Sequence, residues 1–509
     1  LLDLDLNASE VSVKIRVLIF SMAMISVAWP QQPSGGNAAD LLHGALAAMG
    51  GEQKIRDLKT IHFTAAGHRN LLEQSERPEG PYIIDYFHID EWRDLEHGSW
   101  KQETKTQNAL EEGARTVIVS GGAAVQKLGA REMPASGEEL QDAEDVLTFS
   151  PERVLLKGLA SPDLKRLPDL SLQSVPHKQV SFTQNGTPVR VFLNEETHLP
   201  TAVEWVKAYP YGIFWSIWGD VTTRAYYSFW WLQDGIHYPL QIDVFRNGLP
   251  DRTAAITKIE FNSSSPPDTF AISTASRDAF AARPKLTADD RPFGSRPPQE
   301  PAPGIVIIPG PWNSTIVRQQ DGTIVLEAPM SSGYSARIIA EAARRFPGVP
   351  VKAVITTSDA WPHIGGVREY VARGVPVYAV ARTVPLLQRF LSAPRTILPD
   401  ALAKAPRKPE LRLVNAKLAL GAGPNRMEIY PLRGETTERQ MMVYFPEHKL
   451  LYGSDAFQKT PDGKWFYTQT ISEVAAAVER EHLAVETFFM MHMGITPWQD
   501  ALQALHGSQ

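Results

Sequence analysis

Residues Val351 to Gly374, VKAVITTSDAWPHIGGVREYVARG, decide how the second half of this chain folds. Val351–Thr356 is a short β-rich run of the kind found in buried strands. Thr357–His363 is a polar loop containing Pro362, where a helix cannot continue. Gly365-Gly366 opens a helix over Val367–Ala372, and Gly374 is its stop signal. A loop that leaves the carboxyl end of a strand and feeds a helix is where α/β proteins place their chemistry.

The flanking residues continue the alternation. Asn313–Pro329, NSTIVRQQDGTIVLEAP, reads as two strands around the turn Asp321-Gly322. Ser335–Phe346 reads as a helix with Ile338, Ile339, Ala342 and Ala343 on its inner face. Val375–Ala381 reads as a further buried strand. Strands alternating with helices predict an α/β arrangement for this region.

Anchored on His363-Ile364-Gly365-Gly366, the loop resembles the metal-binding loop of the metallo-β-lactamase fold, whose pattern is T-H-x-H-x-D-H-x-G-G. Thr357 matches its Thr and His363 its last His. Ser358, Ala360 and Pro362 stand where that family has its first His, second His and Asp. Three later segments are similar as well. Tyr430–Pro446 (YPLRGETTERQMMVYFP) resembles the segment carrying the third His, with Glu435 at that position. Leu450–Asp455 (LLYGSD) resembles the strand ending in the bridging Asp, here Asp455. Met491–Gly494 (MHMG) resembles the last ligand segment, with His492 as the ligand.

The resemblance implies an αββα sandwich over residues 304–509 and a reduced metal site. The three histidines of the family's first metal are replaced by Ser358, Ala360 and Glu435, which cannot make a strong site. Of the second metal's ligands, His363, Asp455 and His492 remain and Pro362 does not. Two imidazoles and one carboxylate suffice for one divalent metal ion with open positions, zinc ahead of iron. Glu435 would add an oxygen ligand or act as a base on a bound water. Asp359 occupies a spacer position and would have to turn inward to join. A metal-free cluster is the alternative, with Asp455 pairing Arg439 or a histidine. A third arrangement makes Ser358 a nucleophile with His363 as its base, although no G-x-S-x-G elbow accompanies it. Trp312 and Trp361 are pocket walls or loop packing. His448 falls in a turn, and His482 in a helix over Glu473–Ala484.

The first half is different. Asn37–Gly50 is an amphipathic helix with Leu41, Leu42, Leu46 and Met49 on one face. Ile61–Ala65 and Val189–Leu193 then alternate as half-buried strands do. Asn185-Gly186, Asp234-Gly235 and Asn247-Gly248 are hairpin-type turns. A helix followed by hairpin strands predicts a curved antiparallel sheet over residues 37–282. Its opening, ALAAMGGEQKIRDLKTIHFTAAG, and its ending, IEFNSSSPPDTFAIS, resemble periplasmic domains related to outer-membrane lipoprotein carriers. Trp215, Trp218, Tyr226, Tyr227, Phe229, Trp230 and Trp231 crowd one region, as core and cross-strand pairs or as an apolar groove. His62, His68, His88 and His97 lack metal-like spacing. Residues 283–303 hold six prolines and mark a linker.

At 509 residues the chain is long enough for two or three domains. A net charge of −6 with no basic block argues against nucleic acid. The chain has no cysteine, so disulfides, thiolate ligands and cysteine nucleophiles are excluded. Lys14 and Arg16 precede the apolar run Val17–Trp29, and Ser26-Val27-Ala28 offers small residues for cleavage, a secretory signal pattern over residues 1–28. Together these readings predict an α+β chain, periplasmic or secreted, with no membrane span after cleavage. The leading function is hydrolysis of a small molecule with His363, Asp455 and Glu435 catalytic and His363, Asp455 and His492 on one metal. The rival is a non-catalytic protein that binds an apolar or acyl ligand.

Overall fold

Alternating side chains and tight turns build the first half of the chain. The computed structural model describes residues 37–73, 77–107, 112–460, 463–466 and 468–507. The signal-like segment 1–28 lies outside them. The opening helix runs Ala38–Ala48, with Asn37 capping it: its side chain accepts from the Asp40 amide at 2.9 Å. It presses Leu42, Ala45 and Leu46 inward.

Thirteen strands then form one antiparallel sheet. Its centre is the pairing of the first strand, Thr60–Asn70, with the last, Leu249–Phe261. From this seam six strands step outward to Arg131–Pro134 on one side. On the other, seven return from the edge at Lys165–Leu172. The helices Gly137–Phe149 and Pro151–Ala160 carry the chain between the two edges. Asn185-Gly186 and Asn247-Gly248 turn with positive φ at both residues, as two-residue hairpins with the sheet's twist require.

Two smaller sheets follow. The seven-stranded sheet opens with Gln299–Ala302, inside the proline-rich stretch, paired to Ile305–Ile308. It continues antiparallel through Ser314–Arg318 and Thr323–Leu326. It then turns parallel through Val351–Ile355, Val377–Ala379 and Leu411–Leu413. The six-stranded sheet is built on Met427–Pro431, Met441–Phe445, Leu450–Tyr452 and Thr487–Phe489, the last two parallel. One buried cluster joins Ile305, Ile324, Leu326 and Ile355 of the former to Ile429, Val443, Leu450 and Phe489 of the latter. The opposite face of the six-stranded sheet packs Phe488 and Leu451 on Val474 and Val478 of the helix Thr468–Arg480. That helix begins five residues before the expected Glu473, and His482 lies beyond its end with φ +53°.

Residues 37–509 hold together as one compact unit. Residues 209–219 of the first half run onto the second. Trp215 and Trp218 meet Trp361 edge-on at 5.3 and 5.0 Å between ring centroids, and Trp218 lies 4.1 Å from Phe390. Asp220 accepts from the Thr396 and Ile397 amides at 2.7 and 3.0 Å. The proline-rich stretch is tied down too: the Ala288 amide donates to Pro210 and that of Gly294 to Pro309, both at 2.7 Å. Among the described residues no helix is long and apolar enough to cross a membrane.

Trp218 is 1% exposed. Trp218→Ala is expected to cost about 3–5 kcal/mol, the usual penalty for emptying a buried aromatic site. Urea denaturation should show the midpoint falling for probes in both halves together.

Candidate metal centre

The loop that begins the argument folds much as its sequence suggests. Val351–Ile355 is a buried parallel strand, and Val367–Ala372 is a helix stopped by Gly374 at φ +74°. Between them Trp361–Ile364 makes one helical turn, with Pro362 in its first positions, where a missing amide hydrogen costs nothing. A second loop, after strand Thr323–Leu326, clamps it. The Ala328 amide donates to the His363 carbonyl at 3.1 Å and that of Met330 to Pro362 at 2.8 Å. Gly365 and Gly366 make the close approach possible. A Cβ on Gly365 would lie 2.5 Å from the Met330 carbonyl oxygen, and one on Gly366 2.1 Å from Ser335 Oγ.

Asp455 follows strand Leu450–Tyr452, after Ser454 at φ +62°. His492 sits in the tight turn closed by mutual hydrogen bonds of 3.0 and 3.3 Å between Met490 and Met493. Asn313 pins this turn: its amide donates to Met491 at 2.7 Å and its side chain to Met490 at 3.2 Å. Three segments far apart in sequence thus bring His363, Asp455 and His492 together, with one donor atom from each within 4.8 Å of the others. His363 Nε2 lies 3.4 Å from Asp455 Oδ2, and His492 Nε2 lies 3.0 Å from Asp455 Oδ1. Gln458 Nε2 donates to Asp455 Oδ1 at 2.7 Å. The His363 side chain is 1% exposed, whereas those of Asp455 and His492 are 21% and 28% exposed, so the group is reached from the His492 side.

Charge orders the site. Burial opposes ionisation of Asp455, but the His363 imidazole, with hydrogen bonds from both histidines, outweighs it and holds the carboxyl well below the usual range. Burial likewise opposes a charged His363, and the Asp455 carboxylate, helped by Glu327, more than offsets it and pushes the imidazole up. Glu327 is fully buried, and burial pushes its carboxyl up despite the nearby His363 and hydrogen bonds from Thr357 and Tyr452. Tyr452 Oη donates to it at 3.0 Å, the Thr357 hydroxyl bonds to it, and Thr357 Oγ1 also meets Ser454 Oγ at 2.7 Å. Sequence reasoning missed Glu327. The one available signal was an acid directly after the apolar run Thr323–Leu326.

The remaining expectations divide. Glu435 does not join the group. Thr436 and Thr437 bond the Glu473 carboxylate at 2.7–3.2 Å and fix their turn so that Glu435 is exposed. It lines a recess with Val380, Arg382 and Glu438, and none of the three clustered residues lines that recess. Asp359 does not turn inward either; it pairs with Arg439 at 2.5 Å, which leaves Asp455 to the histidines. Ser358 is buried, and its Oγ accepts from the Ala360 amide at 3.1 Å. His363 points Nε2 at Asp455, and its Nδ1 has no partner among the described residues, so no Ser358–His363 pair forms. His62 is held by Asp90 and Glu260 and stacks on Trp92 at 3.9 Å, a structural role. Trp312 stands edge-on to His492 at 6.3 Å and to Phe214 at 6.4 Å, forming a wall beside the site. Trp361 packs inward.

The donor chemistry fits a divalent ion. Two imidazoles and a carboxylate kept ionised make a common three-ligand set for zinc. At three of the positions that the resemblance aligns with metal ligands, Ala360 and Pro362 have no side-chain donor and Ser358 Oγ accepts from the Ala360 amide.

No protein-family model and no curated protein matches the chain. Solved structures similar to part of it include metallo-β-lactamases and an alkylsulfatase. The metallo-β-lactamase DIM-1 shares 15% identity over 42% of this chain and 97% of its own, with a TM-score of 0.33. The metallo-β-lactamase FIM-1 from Pseudomonas aeruginosa, in a mono-zinc form, shares 15% over 43% and 97%, also at 0.33. The inverting sec-alkylsulfatase Pisa1 from Pseudomonas sp. shares 16% over 41% of this chain and 40% of its own, at 0.32. Nothing in these comparisons supports the likeness of residues 37–282 to lipoprotein-carrier domains.

Two of the shifted groups, Asp455 and His363, give the metal-free protein a pH response. His363, raised, contributes stability in full below the free imidazole value near pH ~6.5 and loses it as pH rises through the folded value. Asp455, lowered, contributes in full above about pH 3.9 and loses it as pH falls through its folded value. Both contributions are complete between about pH 4 and 6.5. Urea midpoints of metal-free protein should therefore peak in that window, and Asp455→Asn should flatten the profile on both sides.

Proposed function

We propose that this chain is an exported hydrolase of the metallo-β-lactamase superfamily with a single-metal centre. The observation that carries the reading is the convergence of His363, Asp455 and His492, with their donor atoms within 4.8 Å of one another. In this reading residues 304–509 form the αββα sandwich, residues 37–282 the accompanying β-rich domain, and 283–303 the connection.

His363 and His492 would hold the ion through Nε2 and Asp455 through its carboxylate. A divalent ion there supplies Lewis acidity and brings the pKa of water towards neutrality. Asp455 contributes the negative charge, and Gln458 fixes the direction of its Oδ1. Glu327, Thr357 and Tyr452 hold the strand ends beneath, so that His363 keeps its aim without contact to substrate. Glu435, which lines the separate recess with Arg382 and Glu438, is given no role in this reading. The wall of Trp312 and Phe214 suits a small substrate with an apolar portion packed beside the His492 rim.

Metal analysis of protein purified without chelator tests this. We expect about one zinc per chain, with iron a weaker competitor. His363→Ala and His492→Ala should each lower zinc affinity by at least ~100-fold while circular dichroism stays unchanged, because each removes one of only three ligands. Wild-type protein should hydrolyse at least one of nitrocefin, p-nitrophenyl acetate or p-nitrophenyl sulfate in a zinc-dependent way. Protein that takes up no zinc even on reconstitution would favour the non-catalytic binder.

Zinc affinity should also fall with acid. A metal ion must displace the proton that the raised His363 imidazole retains, so affinity should drop about ten-fold per pH unit below that group's folded value. Competition titrations with a chromophoric chelator between pH 5 and 8 would show it.

A further inference from the structure

The inner face of the thirteen-stranded sheet bounds a second cavity, unconnected to the metal centre by any lining residue. Period-two alternation explains its composition. Arg252, Ala254 and Ile256 face it from one strand, Ile242, Val244 and Arg246 from the next, and Phe87, Ile89, Glu91 and Arg93 from a third. The helix Gly137–Phe149 roofs it with Asp142, Asp145, Val146 and Phe149, which recur at helical spacing. The cavity is therefore apolar along its length and charged at particular points.

Each acid that lines it is already engaged. Glu91 accepts from Arg93 at 2.7 Å and from Gln102 at 2.6 Å. Asp142 accepts from Arg246 at 3.2 Å, and Asp145 from Lys207 at 2.5 Å and the Tyr209 hydroxyl at 2.7 Å. Arg93 is also paired with Glu152 at 3.0 Å. Arg252 is the exception: half-buried at the cavity wall, it has no side-chain hydrogen bond or ion pair among the described residues. Ser150 is a second open donor. It is 7% exposed and lines the same cavity at the start of the helix Pro151–Ala160, and its hydroxyl has no partner among the described residues. A buried polar group left without a partner costs stability unless something else satisfies it.

We infer that this cavity binds a small apolar monocarboxylate, with the carboxylate on Arg252 and the hydrocarbon against Val244, Ala254 and Phe87, the lining side chains that the strand register sets beside it. The guanidinium fork matches a carboxylate in two parallel hydrogen bonds, a geometry no neutral head group reproduces. Size sets the body. The cavity measures about 110 Å³, and an apolar cavity of about 150 Å³ takes benzene. On that scale the enclosed space takes a body of about four to five carbons, with the carboxylate outside it at the half-buried Arg252, and a long or double acyl chain does not fit. The site is independent of the proposed hydrolytic centre, so zinc loading has no bearing on it.

Isothermal titration of the full chain with hexanoate tests the inference, with acetate, hexan-1-ol and palmitate as comparators. Hexanoate should bind one per chain and acetate, lacking a body, should not. Arg252→Gln should weaken hexanoate at least ten-fold and leave hexan-1-ol within two-fold of wild type. Arg252→Lys, which keeps the charge and loses the fork, should fall between. The inference is overturned by hexanoate that gives no binding heat, by an Arg252→Gln variant that binds it as wild type does, or by palmitate binding as tightly as hexanoate.

Discussion

A single buried carboxylate underlies the second half of the molecule. Glu327 emerges from one sheet, receives the amide and hydroxyl of Thr357 at the end of the neighbouring strand, and receives the hydroxyl of Tyr452 from the other sheet. Through Thr357 it also reaches Ser454, the residue before Asp455. A carboxyl this deep is costly unless its hydrogen-bonding capacity is used, and here the Thr357 amide and hydroxyl and the Tyr452 hydroxyl use it. The loops bearing His363 and Asp455 therefore have little freedom at their roots. Their relative position is set below the surface, by groups that are themselves fully buried.

Local signals in the sequence carried a long way. The helix Ala38–Ala48, the Asn-Gly turns and the strand–loop–helix from Val351 each depend on neighbours within a few residues, and each formed close to where its pattern placed it. What escaped depends on partners hundreds of residues away. The pairing of Thr60–Asn70 with Leu249–Phe261 makes one sheet from two meanders, and no local period announces it. The tryptophans at 215 and 218 read as sheet aromatics; they pack instead on Trp361 and Phe390. Glu435 was assigned by its distance from a recognisable strand. Its orientation is decided by Glu473, a carboxylate on another helix that captures the adjoining threonines.

Asp455, His363 and His492 illustrate the same division within one site. Their positions follow from the resemblance of three short segments. Their electrostatics come from burial and mutual distance. One carboxylate between two imidazoles is held ionised while one of those imidazoles is held more basic, so each member stabilises the charged form of another. Such an arrangement prepares an anionic donor without an arginine or lysine, since the available basic neighbour, Arg439, is committed to Asp359.

The tryptophan contact also has a bearing on how the chain is made. Synthesis proceeds from the amino end at roughly 5–20 residues per second. Trp215 and Trp218 leave the ribosome well before Trp361 and Phe390 exist to cover them. For about ten to thirty seconds at that pace a finished β-sheet would carry two large uncovered indoles. A nascent chain in that state is a target for holdase chaperones, and a truncated product ending near residue 300 would keep the sticky surface permanently.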